Sequence, residues 1–221
     1  MADETVDDLP LFLLPIVLLP TEVLPLHIFE DRYKTMIELC MTEGTEFGVI
    51  WLSDEGLKEV GCTARVTELL ERTDDGRMNI LVQGSSPFRL LERREEHIFP
   101  AGDVELLGDR SEASDDRVSS EARETYATLV ERVTDERPEQ DALDELGAYE
   151  MAATVDIGSE VKQGLLELRS ERARMRLLSR LFKAAMKRLD VADKIAEQAR
   201  TNGKVRFDSG GEPEAPEPAD D

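Results

Sequence analysis

Leu9-Pro10-Leu11-Phe12-Leu13-Leu14-Pro15-Ile16-Val17-Leu18-Leu19-Pro20, and after it Leu24-Pro25-Leu26-His27-Ile28-Phe29-Glu30-Asp31-Arg32-Tyr33-Lys34-Thr35-Met36, decide how the amino-terminal half is built. Proline fixes φ and lacks the backbone N–H, so no continuous helix crosses Pro15, Pro20 and Pro25. The stretch reads as short strands and turns that deliver the chain into a helix. Leu24, Leu26 and Ile28 alternate as one face of a strand. Tyr33, Met36, Ile37, Cys40 and Met41 then form a single helical stripe, with Gly44 placed to end it.

Downstream, Phe47–Leu52, Gly61–Thr67, Met78–Val82, Phe88–Leu91 and Val104–Leu107 are short apolar or alternating runs of high strand propensity, and Asp75-Gly76 marks a hairpin turn. Many short strands with frequent turns predict an antiparallel barrel or curled sheet, not a parallel α/β sheet. From Asp115 onward glycine becomes rare and apolar spacing turns helical. One helix carries Val118, Tyr126, Leu129, Val130 and Val133, and a second carries Leu143, Leu146, Tyr149 and Met151. A third, with Ser159 as its cap, carries Val161, Leu165 and Leu168. A fourth, capped by Ser170, carries Leu177, Leu178, Leu181, Phe182, Ala185 and Leu189. The expected organisation is a β subdomain over 9–108, a helical bundle over 115–200 and a disordered acidic tail over 201–221.

Composition narrows the function. Asp and Glu outnumber Lys and Arg by 49 to 27 in 221 residues, a net charge of −22. Such a surface repels phosphate and anionic lipid and favours basic partners. The apolar opening run follows Asp3, Glu4, Asp7 and Asp8 with no base, which is wrong for a secretory signal, and it is too proline-rich to span a bilayer. A cytoplasmic protein is the expectation. Cys40 and Cys62 read as buried small hydrophobes.

No motif proposes a reaction. There is no HExxH, GxGxxG or GxSxG, and Gly203-Lys204 is followed by Val205, where a phosphate-binding loop needs Ser or Thr. His27, His97, Cys40 and Cys62 lack the paired spacing of a zinc site. No catalytic residue, metal or cofactor is expected.

The order of blocks resembles the amino-terminal substrate-binding domain of Lon proteases, in its stand-alone form. The blocks are the proline-punctuated opening, Ile28-Phe29-Glu30-Asp31-Arg32-Tyr33, Phe47-Gly48-Val49, Val60-Gly61-Cys62-Thr63-Ala64-Arg65, Asp75-Gly76-Arg77, Gly84-Ser85-Ser86-Pro87-Phe88-Arg89 and Lys162-Gln163-Gly164-Leu165-Leu166-Glu167. The resemblance implies an α+β fold: a PUA-like antiparallel β-barrel with one inserted helix, followed by a C-terminal helical bundle. It implies binding of unfolded or extended polypeptide for delivery to a protease or chaperone, in protein quality control. Lon's ATPase module and protease domain are not among these blocks, so unfolding or cleavage is not expected of the chain alone. Ser53–Glu59 is shorter than the family's segment at that place. Phe29, Tyr33, Trp51 and Phe99 are the candidate polypeptide contacts, and an exposed strand edge is a further means of holding a client. Two other readings stay open: an RNA-binding module using Arg65, Arg77, Arg89, Arg93 and Arg94, and a small-molecule-binding protein. The oligomeric state is not fixed by the sequence.

Overall fold

In the computed structural model the described residues are 4–110 and 116–202, with side chains as far as 199. The opening run becomes β1 (Thr5–Leu14), then β2 (Val23–Ile28) and α1 (Asp31–Glu43). β3 (Phe47–Ser53), β4 (Gly56–Leu57), β5 (Val60–Arg72), β6 (Met78–Arg94) and β7 (Ala101–Leu106) follow. Neighbouring strands pair in the order β1-β7-β6-β5-β3, and β1 also pairs with β3, so the hydrogen-bonded circuit closes on itself. β2 lies on β6, and β4 on β3. Every pairing is antiparallel except β1–β3. That parallel pair departs from the antiparallel expectation. The chain leaves β1, passes through β2 and α1, and re-enters in the same direction, as a parallel neighbour requires.

Other departures have local causes. Met78–Val82 and Phe88–Leu91, expected as two strands, are one long strand, β6. Pro87 is tolerated because its partner Cys62 sits at a register shift, where the ladder is already irregular. β1 starts at Thr5, four residues before the apolar run, and bends between Val6 and Leu9 where Asp8 has φ 57°.

In α1, Tyr33, Met36, Ile37 and Cys40 are buried, and Gly44 at φ 68° closes the helix by donating its N–H to the Cys40 carbonyl. Met41 is exposed: eight residues on from Tyr33 the helix has rotated about 80° off the stripe. Glu30 occupies the N-cap through its backbone, its carbonyl accepting from the N–H of Tyr33 and Lys34, while its side chain pairs with Arg32 at 2.8 Å.

Three glycine-containing blocks converge on one ring. Phe88 is fully buried with Leu9, Leu11, Ile50 and Val104. A Cβ on Gly48 or on Gly61 would lie 2.7 Å from the Phe88 Cζ. The ring therefore packs on bare backbone. Gly84 answers to a different constraint: a Cβ there would collide with the Leu19 carbonyl. Gly84→Ala is expected to destabilise by roughly 2 kcal/mol, the scale of an overpacked core, read as a lower urea midpoint at constant slope.

The second half is helical: α2 (Asp116–Thr134), α3 (Gln140–Glu145), α4 (Ala148–Ala153), α5 (Ser159–Glu167) and α6 (Glu171–Asn202). The expected second helix is two, because Leu146 and Gly147 are extended and break it. Ser159 is not a cap. Gly158, at φ 74°, holds that position and Ser159 is the first helical residue. Ser170 does cap α6, its Oγ accepting from the Ala173 N–H at 3.2 Å. The chain divides into two compact units, Met1–Lys183 and Ala184–Asp221. Of the second, the described part is the continuation of α6, with its residues from Asp190 to Ala199 exposed. Of the expected tail over 201–221, residues 201 and 202 continue α6, and 203–221, like 111–115, lie outside the described residues.

Within the first unit the Lys162–Glu167 block fastens helix to sheet. Lys162 pairs with Glu22 in a largely buried contact, and Gln163 Nε2 donates to the Val60 carbonyl at 3.1 Å.

Candidate functional site

The bend in β1 opens a cleft. At Asp8 the strand turns its N–H to Asp103 Oδ1 (3.0 Å), and its own Oδ2 meets His97 Nε2 at 2.7 Å. His97 stacks on Phe99 with centroids 5.0 Å apart and planes 1° from parallel. Opposite stands the end of α1, with Leu39, Glu43, Thr45 and Glu46. Between them is a cleft of about 370 Å³ lined also by Val6, Leu9, Thr63 and Leu106. The floor is apolar. The rim carries Asp7, Asp8, Glu43 and Glu46, and no Lys or Arg lines it. Glu46 is held by the Ser85 hydroxyl at 2.6 Å. Apolar burial with a surrounding negative field suits a segment that is both apolar and basic.

A second exposed face spans β2, β6 and β5. His27 Nδ1 meets Asn79 Oδ1 at 2.7 Å, and Asn79 Nδ2 donates to Glu71 Oε2 at 2.8 Å, a polar line across three strands. Phe29 stacks beside His27 with centroids 5.9 Å apart, and Leu70 stands exposed on β5.

The candidate aromatics are dispersed. Phe29 is 58% exposed, Phe99 is buried beneath the cleft, and Tyr33 and Trp51 lie in the core. Tyr33 packs on Phe12 (4.2 Å between centroids), and burial raises its hydroxyl pKa. Trp51 is capped by the Lys58 ammonium at 5.4 Å. The two histidines, read in sequence only as poor ligands, each stack on one of these aromatics. The four rim carboxylates were not separable by sequence from the chain's other acids. Their only local sign is Asp7-Asp8 at the point where β1 bends.

Cys40 and Cys62 are both buried thiols, and desolvation pushes both thiol pKa values up, most strongly for Cys62. Of the arginines weighed for RNA, Arg77 is held by Asp75 at 2.7 Å and Arg94 by Asp103 at 2.5 Å. Among the described residues no cluster of three or more His, Cys, Asp or Glu is arranged to hold a metal, and no helix is long and apolar enough to cross a membrane.

Residues 8–184 match the family model of the ATP-dependent protease La (LON) substrate-binding domain. The chain belongs to that family. A Lon protease of Anaeromyxobacter dehalogenans (strain 2CP-C) is 30% identical over 148 residues, 63% of this chain and 17% of the relative, so the chain spans about a sixth of that protein. The crystal structure of a Lon N-terminal domain protein from Xanthomonas campestris superposes with a TM-score of 0.61 at 24% identity, covering 78% of this chain and 97% of that one. The N-terminal domain of Mycobacterium avium complex Lon protease gives 0.61 at 17% identity, covering 80% and 98%. These likenesses establish a shared mixed sheet-and-helix fold. The Lon blocks acquire physical roles in it: glycines under Phe88, the Gly84 approach to Leu19, and the Lys162-Gln163 fastening.

Proposed function

We propose that the chain is a non-catalytic recognition module that holds unfolded or extended polypeptide, using the acidic cleft between β1 and α1 as one contact. The single observation behind this reading is an apolar floor ringed by Asp7, Asp8, Glu43 and Glu46 in a member of a substrate-binding family. The chemistry favours client segments in which Lys or Arg flanks apolar residues. The closed circuit of strand pairings supports describing the β half as PUA-like. Delivery to a protease or chaperone in the cytoplasm, as part of quality control, is the role this reading assigns.

The test is a fluorescence-anisotropy titration at low salt. A labelled unfolded peptide alternating apolar residues with Lys is compared with its Glu counterpart. The Lys form is expected to bind more tightly. The triple variant Asp7→Asn/Glu43→Gln/Glu46→Gln is expected to weaken that binding about tenfold, equivalent to ~1.4 kcal/mol. Salt near 0.5 M is expected to erase most of the difference, because the rim is open to screening. Equal affinity for the two peptides, or an unaffected triple variant, would refute the cleft assignment.

A further inference from the structure

β2 is paired on one side only. It hydrogen-bonds to β6, and no other strand among the described residues joins it. The orientation of its backbone follows from two facts. The Gly84 N–H donates to the Glu22 carbonyl at 3.0 Å. The register then runs without a shift from Val23 opposite Gln83 to Ile28 opposite Met78. Peptide groups alternate sides along a strand, so Leu24, Leu26 and Ile28 turn theirs to β6 while Val23, Pro25 and His27 turn theirs outward. Pro25 fits this phase, since toward β6 its missing N–H would break the ladder. The outer edge thus presents the N–H groups of Val23 and His27 and the carbonyls of Val23, Pro25 and His27.

The side chains at this edge suit an extended guest. Val23 is 54% exposed and Phe29 58%, one at each end of the outward backbone groups. Both stand clear of the core that Leu24, Leu26 and Ile28 face into. Glu71 borders the same exposed face. It accepts from Asn79 and has no ion pair among the described residues.

We propose that the outer edge of β2 captures an extended client segment by strand addition, gripping the main chain and so accepting many sequences. This rests on the polypeptide-binding reading above and supplies its second contact. The occupant is a foreign segment carrying Lys or Arg among apolar residues. Near the edge Glu22, Glu30 and Asp31 are already paired with Lys162, Arg32 and Lys34, which leaves Glu71 to meet a guest's cation, whereas a second copy of this chain would bring the same net charge of −22. Pro25 also withholds one donor from any such edge-to-edge pairing.

The experiment alters the guest, not the host. A short apolar–Lys peptide is made in three forms: unmethylated, and backbone N-methylated at every second residue in each of the two phases. Strand addition uses only the amides on one edge of the guest. One methylated phase is therefore expected to lose at least about tenfold in affinity while the other stays within about twofold of the parent. In parallel, amide hydrogen exchange is followed by NMR on the intact protein. Peptide binding is expected to slow the Val23 and His27 amides. Binding by the parent with neither phase impaired, or with both amides unprotected at saturation, overturns strand addition at β2 and leaves polypeptide recognition standing. A parent peptide that does not bind at all overturns the polypeptide reading and this inference with it. Val23→Pro, which deletes an outward donor, is expected to weaken the parent several-fold, with circular dichroism confirming the fold.

Discussion

Phe88→Ala is expected to destabilise the protein by about 4 kcal/mol, near the top of the range for a single core truncation. The size of the effect follows from what surrounds the ring. Phe88 is fully buried, and two of its contacts are the glycine backbones of Gly48 and Gly61, on β3 and β5. Side chains lining a cavity can swing in to fill part of it. Backbone held in strand pairing cannot do so without breaking hydrogen bonds. β3, β5 and β6 also belong to a circuit of strands that closes, so a local collapse would have to strain its other members. The cavity should therefore persist. Urea unfolding followed by tryptophan fluorescence measures it, with Trp51 as the reporter on β3. Phe88→Leu, which keeps much of the volume, is expected to cost less than half as much. A loss below about 1 kcal/mol for the alanine variant would mean that the strands relax around the vacancy. Adding methyls back does not restore stability in the sense of simple volume: Gly61→Ala beside Phe88→Ala would still bring its Cβ against the Val49 carbonyl, and the double variant is expected to be no more stable than the single one.

The same residues show how far the sequence could be read. α1 was legible because its apolar stripe and Gly44 agree. The hairpin was legible because Asp75-Gly76 admits few conformations, and Gly76 takes φ 79°. β6 was read as two strands because Gly84 and Pro87 are ordinary terminators. Here Gly84 is required by the approach of Leu19, and Pro87 falls where the ladder already shifts. That information belongs to other segments and is absent from the local sequence. α3 and α4 merged for a similar reason: Leu143, Leu146 and Met151 keep helical spacing across a break at Leu146 and Gly147. The acidic cleft was invisible because its rim comes from two separated stretches, and Asp7, Asp8, Glu43 and Glu46 are four carboxylates among 49. The dispersal of Phe29, Tyr33, Trp51 and Phe99 has the same origin. Residue type identifies an aromatic, but only the register of strands decides whether it meets solvent.

Arg174→Ala is expected to cost about 3 kcal/mol, the lower end of the scale for removing one member of a buried ion pair. The Arg174 side chain is 4% exposed. Its guanidinium forks onto Asp109, with Nη1 at 2.8 Å from Oδ1, and donates to the Leu168 carbonyl at 2.7 Å and to Glu171 at 3.0 Å. It lies 4.5 Å from the centroid of the Tyr149 ring. Glu171 in turn accepts the Ala148 N–H at 2.7 Å, so one side chain joins the segment after β7, the start of α4, the end of α5 and the first turn of α6. Asp109 and Glu171 are partly exposed and can rehydrate, which keeps the loss below that of a fully buried pair. Arg174→Lys keeps the charge but not the fork and is expected to fall between wild type and alanine. The cleft draws its lining from β1, α1, the segment after it, β5, the approach to β7 and β7 itself, and nothing from α2–α6. Below its melting temperature the Arg174→Ala protein is therefore expected to keep its affinity for the apolar–Lys peptide while losing thermal stability. Parallel loss of affinity and stability, measured by anisotropy and calorimetry on the same preparation, would show instead that the helices hold the cleft in shape.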